Sequence, residues 1–187
     1  MKKIILASGS PRRREILKNA GLEFEIHPSS YDEVMADNIF TPEKIEELAY
    51  NKALAVAEEI QEEAVIIGAD TVVVLNNIIL TKPHDREDAF NMLHRLSDVE
   101  HHVVTGICVI DKYDNKTTIR HVTTTVRFEK LTDDMINYYI DNYKPFDKAG
   151  AYGIQELPEG WVHSVNGSLE NVIGLCSKAA IEMLGQI

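Results

Sequence analysis

The stretch AVIIGADTVVVLNNIIL, residues 64–80, is the most strongly β-forming part of the chain. Its β-branched residues predict a buried strand, and Asn76 and Asn77 before a second apolar run predict a hairpin turn and a return strand. Asp70 interrupts the first run, although a charged residue is rarely buried without a partner. Gly68 allows close approach of another backbone or a ligand. We therefore expect a bend at Asp70, whose carboxylate either serves a metal or water, or caps its own turn.

Helix and strand patterns alternate on both sides of this stretch. Residues 3–7 are predicted as a short buried strand, which leads into a helix that begins with Ser10 as its cap and Pro11 at its first position. Thr41 and Pro42 open a longer helix that extends to about residue 60. Further strands are predicted at residues 23–26, 101–111 and 117–131, and further helices after Asp85, after Thr132 and at residues 177–184. This order predicts a single α/β domain over residues 1–187, with a mixed central sheet flanked by helices.

Bulk composition excludes several classes of protein. The chain has 187 residues, of which 44% are hydrophobic and 26% charged, so a folded globular protein is expected rather than a disordered one. A net charge of -11 argues against binding to nucleic acid or to an anionic membrane. We expect neither a signal peptide nor a membrane-spanning helix, which needs roughly 18–20 apolar residues.

The cysteines and the histidine pair form no recognisable metal or redox motif. Cys108 and Cys176 are far apart, and we expect reduced, packed thiols in a cytoplasmic protein. His101 and His102 lack a third ligand nearby, and we expect both at the surface.

Three consecutive arginines begin the first predicted helix. A cation at a helix N-terminus is unfavourable by roughly 0.3–1 kcal/mol, unless an anion lies in front of it. Free backbone N–H groups at the helix start, the forked donors of Arg12 and Arg13, and the hydroxyls of Ser8 and Ser10 would suit a phosphate. The alternative is a solvated basic turn, and Arg14 is expected to be solvated in either case.

Other polar residues have both a functional and an ordinary interpretation. Lys82 follows the return strand, Lys52 lies on the long helix and Glu33 lies in a loop, so each is either a phosphate or metal ligand or a surface residue. The segment DKAGAYGIQ, residues 147–155, is either a tight structural loop or one that contacts a ligand closely. Gln155 has both donors and an acceptor, which suits the edge of a nucleobase.

Four segments in this order resemble the Maf family, also called septum formation inhibitor proteins or nucleotide pyrophosphatases. They are ILASGSPRRREIL (residues 5–17), IIGADTVVV (66–74), KPHD (82–85) and DKAGAYGIQ (147–155). The resemblance runs from residue 3 to the C-terminal helix. It implies a house-cleaning enzyme that hydrolyses nucleoside triphosphates to monophosphate and pyrophosphate with a divalent cation, Mg²⁺ or Mn²⁺. It also implies an elongated fold similar to that of the inosine triphosphatases, with two lobes around a cleft.

The resemblance assigns roles to individual residues. Asp70 matches the proton acceptor, and Arg12, Thr71 and Gln155 match the positions that set base preference in the branch acting on dTTP and UTP. The branch acting on 7-methyl-GTP carries Trp at the position of Arg12. Further positions match polar residues of the family's cleft, namely Ser8, Arg13, Glu33, Lys52 and Lys82, and Glu33 and Asp70 are the expected metal carboxylates. The chain departs from the family pattern at Thr81, Glu156, Ser168, Leu169 and Cys176.

The expected activity is hydrolysis of dTTP and UTP, with modified pyrimidine nucleotides as further candidate substrates, and Asp70 is expected to activate the water that attacks the α-phosphorus. Two alternatives stay open: a non-catalytic nucleotide-binding regulator of cell division, and a pyrophosphatase that prefers inosine or xanthosine triphosphate. The expected partner is the nucleoside triphosphate, with no nucleic acid or membrane, and a homodimer is the assembly to test.

Overall fold

The computed structural model describes residues 2–187, so Met1 of the predicted 1–187 domain lies outside the described residues. The strands are β1 (Ile4–Leu6), β2 (Glu25–Ile26), β3 (Val65–Leu75), β4 (Ile78–Leu80), β5 (Glu100–Asp111), β6 (Lys116–Phe128) and β7 (Val162–Asn166). The helices are α1 (Pro11–Asn19), α2 (Pro42–Glu59), α3 (Arg86–Leu96), α4 (Asp133–Tyr143), α5 (Leu169–Ile173) and α6 (Ser177–Leu184). Two short 3₁₀ turns, Ala149–Ala151 and Ile154–Glu156, lie between α4 and β7.

The seven strands form one mixed sheet in the order β2-β1-β3-β5-β6-β7, with β4 paired to β3. β1 is parallel to β2 and β3, and the other pairs are antiparallel. The predicted α/β class with a mixed sheet flanked by helices is therefore confirmed.

Local sequence signals fix the ends of these elements as predicted. The Ser10 hydroxyl accepts a hydrogen bond from the Arg13 backbone N–H at 3.4 Å, and Asp85 caps α3 in the same way. Asn76 and Asn77 adopt φ values of 49° and 64°, which the tight β3–β4 hairpin turn requires.

The predicted bend at Asp70 is wrong, because β3 runs without interruption and pairs Asp70 with Gly106 of β5. The close approach of another backbone that Gly68 predicts is confirmed, because Gly68 makes room for helix α2. A Cβ atom at Gly68 would lie 2.8 Å from Ala53 Cβ, and one at Gly106 would lie 2.8 Å from the carbonyl carbon of Ile45. Helix α2 therefore lies directly against the middle of β3 and β5.

A gap in strand pairing opens beside the middle of β3. In the described chain, β1 pairs with β3 only at residues 65–67 and β4 pairs only at residues 73–75, so residues 68–72 pair with β5 alone. A cavity of about 630 Å³ opens at this part of β3 and includes Asp70, Thr71 and Val72 in its wall. Ligand sites of α/β sheets commonly lie where neighbouring strands diverge in this way.

Separate hydrophobic cores lie on the two sides of the cavity. One packs α3 and α4 against the sheet around Leu93, Phe128, Tyr139 and Trp161, and the others pack α1, α2 and α6. This division into two packed halves around a cleft agrees with the predicted architecture. None of the helices within residues 2–187 is long and apolar enough to cross a membrane.

His101 corrects a second prediction, because it is buried rather than at the surface. Its Nε2 lies 2.7 Å from the Tyr152 hydroxyl, and its ring packs edge-on against Phe128. Burial, with a smaller effect of His102, lowers the pKa of His101 to about 4, so the ring is neutral at pH 7. Both cysteines are free thiols; Cys108 is buried and Cys176 is half-buried.

Candidate active site

The cavity brings together nearly all the residues that the sequence singled out. Its volume of about 630 Å³ is in the range of small-molecule sites. Its walls carry five cationic side chains and three carboxylates, namely Arg12, Arg13, Lys52, Lys82 and Lys148, and Glu33, Asp70 and Asp147. Thr71 and Gln155 also line it. A local excess of positive charge in a chain of net charge -11 marks this cavity as a site for an anion.

Ser8 is the exception among the predicted residues. It lines a smaller adjoining cavity, which shares Arg13, Glu33 and Lys52 with the larger one. The Ser8 hydroxyl accepts hydrogen bonds from the Ser10 backbone N–H at 3.2 Å and from Arg13 Nη1 at 3.3 Å. Ser8 therefore supports Arg13 from behind the main cavity.

Lys52 joins the two predicted metal carboxylates. Its Nζ lies 2.5 Å from Asp70 Oδ1 and 2.5 Å from Glu33 Oε1. The close packing of α2 on Gly68 brings Lys52 down onto β3, where it reaches Asp70. The ammonium group therefore keeps the two carboxylates next to each other in the cavity wall.

The two carboxylates differ in their tendency to take up a proton. Burial raises the pKa of Asp70 above its ordinary value, although the charges of Lys52 and Arg13 act against this rise. Burial acts in the same direction on Glu33, but the hydrogen bond and charge of Lys52 outweigh it and lower the pKa of Glu33. Asp70 is thus the carboxylate whose proton affinity is closer to what a general base near neutral pH needs.

Arg13 lies deep at the start of α1 and is held by three acceptors. Its Nε donates to the Gly174 carbonyl at 2.9 Å, and its Nη2 donates to the Thr71 hydroxyl at 3.1 Å, in addition to the bond to Ser8. Burial lowers the pKa of its guanidinium from the usual value. Arg12 and Arg14 are exposed, and Arg12 reaches the cavity rim. Of the three arginines, Arg13 is therefore the one with a fixed orientation.

Thr71 lies at the centre of a polar network within the protein. Its Oγ1 lies 2.9 Å from Thr105 Oγ1 and 3.1 Å from the Gly174 carbonyl, besides accepting from Arg13. Thr105 in turn donates to the backbone carbonyl of Asn171 at 3.3 Å. This network ties β3 and β5 to α5 and fixes the far wall of the cavity.

One end of the cavity has an apolar wall with polar side chains beside it. Val73, Val103 and Tyr152 form its wall and belong to the core under α3 and α4. Lys148 and Gln155 are polar side chains on the loop that borders this end. A flat ring with polar edges would fit here, whereas the cation-rich end suits a chain of phosphates.

Sequence reasoning missed Lys148, which is only 9% exposed. It lies between Asp147 and a small-residue run that has the composition of an exposed loop, so no local pattern indicates its burial. Its hydrogen bond lowers the pKa of Asp147, and the charge of Arg12 contributes to the same shift.

The residues present fit a divalent cation only together with a ligand. Glu33 and Asp70 each place one carboxylate oxygen on the Lys52 ammonium, so two hard oxygen donors lie close together, and Mg²⁺ commonly takes one or two carboxylates plus phosphate oxygens. Across residues 2–187, no group of three or more His, Cys, Asp or Glu side chains is arranged to hold a metal ion. The remaining ligands would therefore come from phosphate and water.

Comparison with known proteins identifies a family and several similar proteins. A family model described as Maf-like protein matches residues 3–187. A dTTP/UTP pyrophosphatase of Desulforamulus reducens is 46% identical and covers 94% of this chain and 91% of its own length. One of Alkaliphilus metalliredigens is 47% identical with the same coverage, and one of Clostridium novyi is 43% identical over 99% of this chain and 97% of its own. A nucleoside-triphosphatase / dITP/XTP pyrophosphatase structure from Mycobacterium abscessus is 14% identical with a TM-score of 0.49, and the match covers 98% of this chain and 94% of that one.

Proposed function

The chain belongs to the Maf-like protein family, and from this premise we propose that it hydrolyses dTTP and UTP to the monophosphate and pyrophosphate. The observation that carries the proposal is the convergence of Arg13, Lys52 and Asp70 on one cavity with a cation-rich end and an apolar end. The cationic end suits the triphosphate, and the apolar end suits the base. Residues 1–187 would act as one domain.

In the proposed reaction, the Asp70 carboxylate accepts a proton from a water molecule as its oxygen attacks the α-phosphorus. The bond between the α-phosphorus and the bridging oxygen breaks, and pyrophosphate leaves with that oxygen. The raised pKa of Asp70 favours its role as the base, and Lys52 holds its carboxylate in place. Arg12, Arg13 and Lys82 would offset the charge on the leaving pyrophosphate.

A divalent cation, Mg²⁺ or Mn²⁺, would be held by Glu33 and Asp70 with phosphate oxygens, and it would neutralise charge on the reacting phosphate. Thr71 and Gln155, with Arg12, are the proposed determinants of base preference. Thr71 would act through the orientation of Arg13, because its hydroxyl bonds to that side chain. Gln155 would meet the base directly, since it is exposed and lines the cavity.

A nucleoside triphosphate is the proposed partner, and a homodimer stays a prediction. We further propose that the protein works in the cytoplasm. The free thiols of Cys108 and Cys176 support a reducing compartment.

The test is product analysis after incubation with dTTP, UTP and other nucleoside triphosphates in the presence of Mg²⁺ or Mn²⁺. We expect monophosphate and pyrophosphate from dTTP and UTP. Asp70→Asn should abolish turnover while leaving binding of the nucleotide largely intact. Asp134→Asn is a suitable control, because Asp134 is an exposed carboxylate on the first turn of α4.

Equal turnover of wild type and Asp70→Asn would refute the role of Asp70. Binding without turnover in the wild type would favour the nucleotide-binding regulator instead. Faster hydrolysis of inosine or xanthosine triphosphate than of dTTP would favour the third alternative, which keeps the reaction and changes the base.

A further inference from the structure

Lys148 is a buried cation that the proposed reaction leaves without a role. Its side chain is 10% exposed, and its Nζ lies 2.9 Å from Asp147 Oδ1 and 3.2 Å from Glu156 Oε2. Lysine is rarely buried unless it is paired, and here two carboxylates hold it. The same side chain lines the cavity, beside Gln155 and close to the apolar end.

The position of the Lys148 ammonium is set by its surroundings. A Cβ atom at Gly153 would lie 2.9 Å from Lys148 Cε, so the lysine stem passes directly beside the Gly153 backbone. The Gly153 N–H is itself held by the Tyr139 hydroxyl at 3.2 Å. Glu156, which does not line the cavity, also pairs with the ammonium.

The hydrogen-bonding capacity of this ammonium restricts what it can recognise. A protonated lysine has three N–H donors and no acceptor. One donor bonds to Asp147 at 2.9 Å, and Glu156 pairs with the ammonium through its charge at 3.2 Å, so at least one donor remains for a group in the cavity. That group must be an acceptor, such as a carbonyl oxygen. An exocyclic amino group would instead place its own N–H donors against those of the ammonium.

We propose that Lys148 donates a hydrogen bond to a ring carbonyl of the base, and that Glu156 is the positioning residue that holds Lys148 for this contact. The inference rests on the proposed function, because it names the part of a nucleotide that the apolar end receives. Lys148, held by Glu156, would favour uracil and thymine, which carry two ring carbonyls, over cytosine, in which an amino group replaces one of them. A site built around a hydrogen bond discriminates strongly against an analogue that cannot make it.

The experiment measures binding rather than turnover. The intact chain is titrated by calorimetry, in the presence of Mg²⁺, with the α,β-methylene analogues of UTP and CTP, which resist cleavage at the α–β position. Lys148→Met keeps a long unbranched side chain and removes the donors. It should weaken binding of the UTP analogue by about tenfold or more and leave the CTP analogue within about threefold.

Glu156→Gln removes the charge that holds the ammonium and should lower the ratio of UTP-analogue to CTP-analogue affinity by about threefold to fivefold. Glu156→Asp keeps the charge, so its ratio should lie between those of Glu156→Gln and the wild type. Glu159→Gln is the matched control, because Glu159 is an exposed carboxylate on the same loop. The ratio of UTP-analogue to CTP-analogue affinity in Glu159→Gln should equal that of the wild type. Thermal unfolding of each variant shows whether it is folded, and a purely structural role would weaken both analogues alike.

Equal weakening of both analogues by Lys148→Met would overturn the proposal, because it would place the contact on the phosphates or the sugar. An unchanged ratio in Glu156→Gln would overturn the positioning role. These failures are separate from failure of the proposed function, which would appear as selective binding of the UTP analogue by a wild-type chain that releases no pyrophosphate from UTP.

Discussion

Replacing Gly68 by alanine tests whether close packing of α2 on the sheet builds the site. The added Cβ would lie 2.8 Å from the backbone N and the Cβ of Ala53, and closer still to the carbonyl oxygen of Ala49. Ordinary van der Waals contacts begin at 3.4 Å, and the closest contact, to the Ala49 carbonyl oxygen, falls short of this by about 1 Å, so α2 must move away by about that distance. Since Lys52 lies next to Ala53 on that helix, its 2.5 Å contact with Asp70 should lengthen by a similar amount.

The expected cost has two parts. Overpacking of this kind destabilises a protein by about 1–3 kcal/mol, which lowers the melting temperature of a chain of this size by about 2–12 °C. Displacement of a catalytic group by a fraction of an ångström to 1 Å can reduce kcat by up to about 100-fold. We therefore expect lower values of both Tm and kcat for Gly68→Ala.

Calorimetry and steady-state pyrophosphate release measure the two effects. Gly185→Ala is the control, because a Cβ there meets its nearest atoms at 3.5 Å and 3.7 Å and the backbone has φ of -73°. Glycine-to-alanine changes at compatible positions usually stabilise by about 0.4–1 kcal/mol. An unchanged or higher Tm for Gly68→Ala, with unchanged kcat, would refute the reasoning.

Two further changes test the electrostatics of the fold and the site. Because the pKa of His101 falls from 6.5 to about 4 on folding, the unfolded chain binds its proton more readily, and stability should fall by about 3 kcal/mol as the pH drops from 6.5 to 4. Urea unfolding of His101→Phe at several pH values should show a flatter profile, and an identical slope would contradict the assignment. Lys52→Met should lower kcat by at least about tenfold and shift the acidic limb of the pH–rate profile upward, because the Lys52 charge lowers the pKa of Asp70. An acidic limb at the same pH would show that Asp70 does not control it.

Local sequence signals predict most of the secondary structure of this chain. The Ser10, Thr41, Asp85 and Thr132 caps all accept hydrogen bonds at helix starts, and the Asn76 turn closes a hairpin. Each signal depends on residues within a few positions of one another, so the sequence alone reveals it.

Errors arise where distant segments decide the outcome. The bend predicted at Asp70 does not form, because β5, more than thirty residues later in the chain, pairs with β3 through this interval and keeps it extended. His101 has the pattern of a surface residue, but its hydrogen-bond partner is Tyr152, 51 residues later. Lys148 is buried by contacts that its immediate neighbours do not signal.

The predicted site residues lie together because the segments that carry them lie on, or next to, the same part of β3. The sequence supplies their identity through the motif pattern, whereas distances and proton affinities depend on packing. Thr71 illustrates the difference, because its hydroxyl bonds to Arg13 and Thr105 within the protein. Only the folded arrangement shows that it supports another side chain.

The gap in pairing beside residues 68–72 has a consequence for the main chain itself. Successive residues of a strand direct their N–H groups to opposite edges, so every second amide in this interval faces away from β5. Water or a bound molecule must accept hydrogen bonds from those amides, while the amides between them stay hydrogen-bonded to β5. Deuterium uptake along this short interval should thus alternate from residue to residue, and occupancy of the cleft should slow only the outward-facing set.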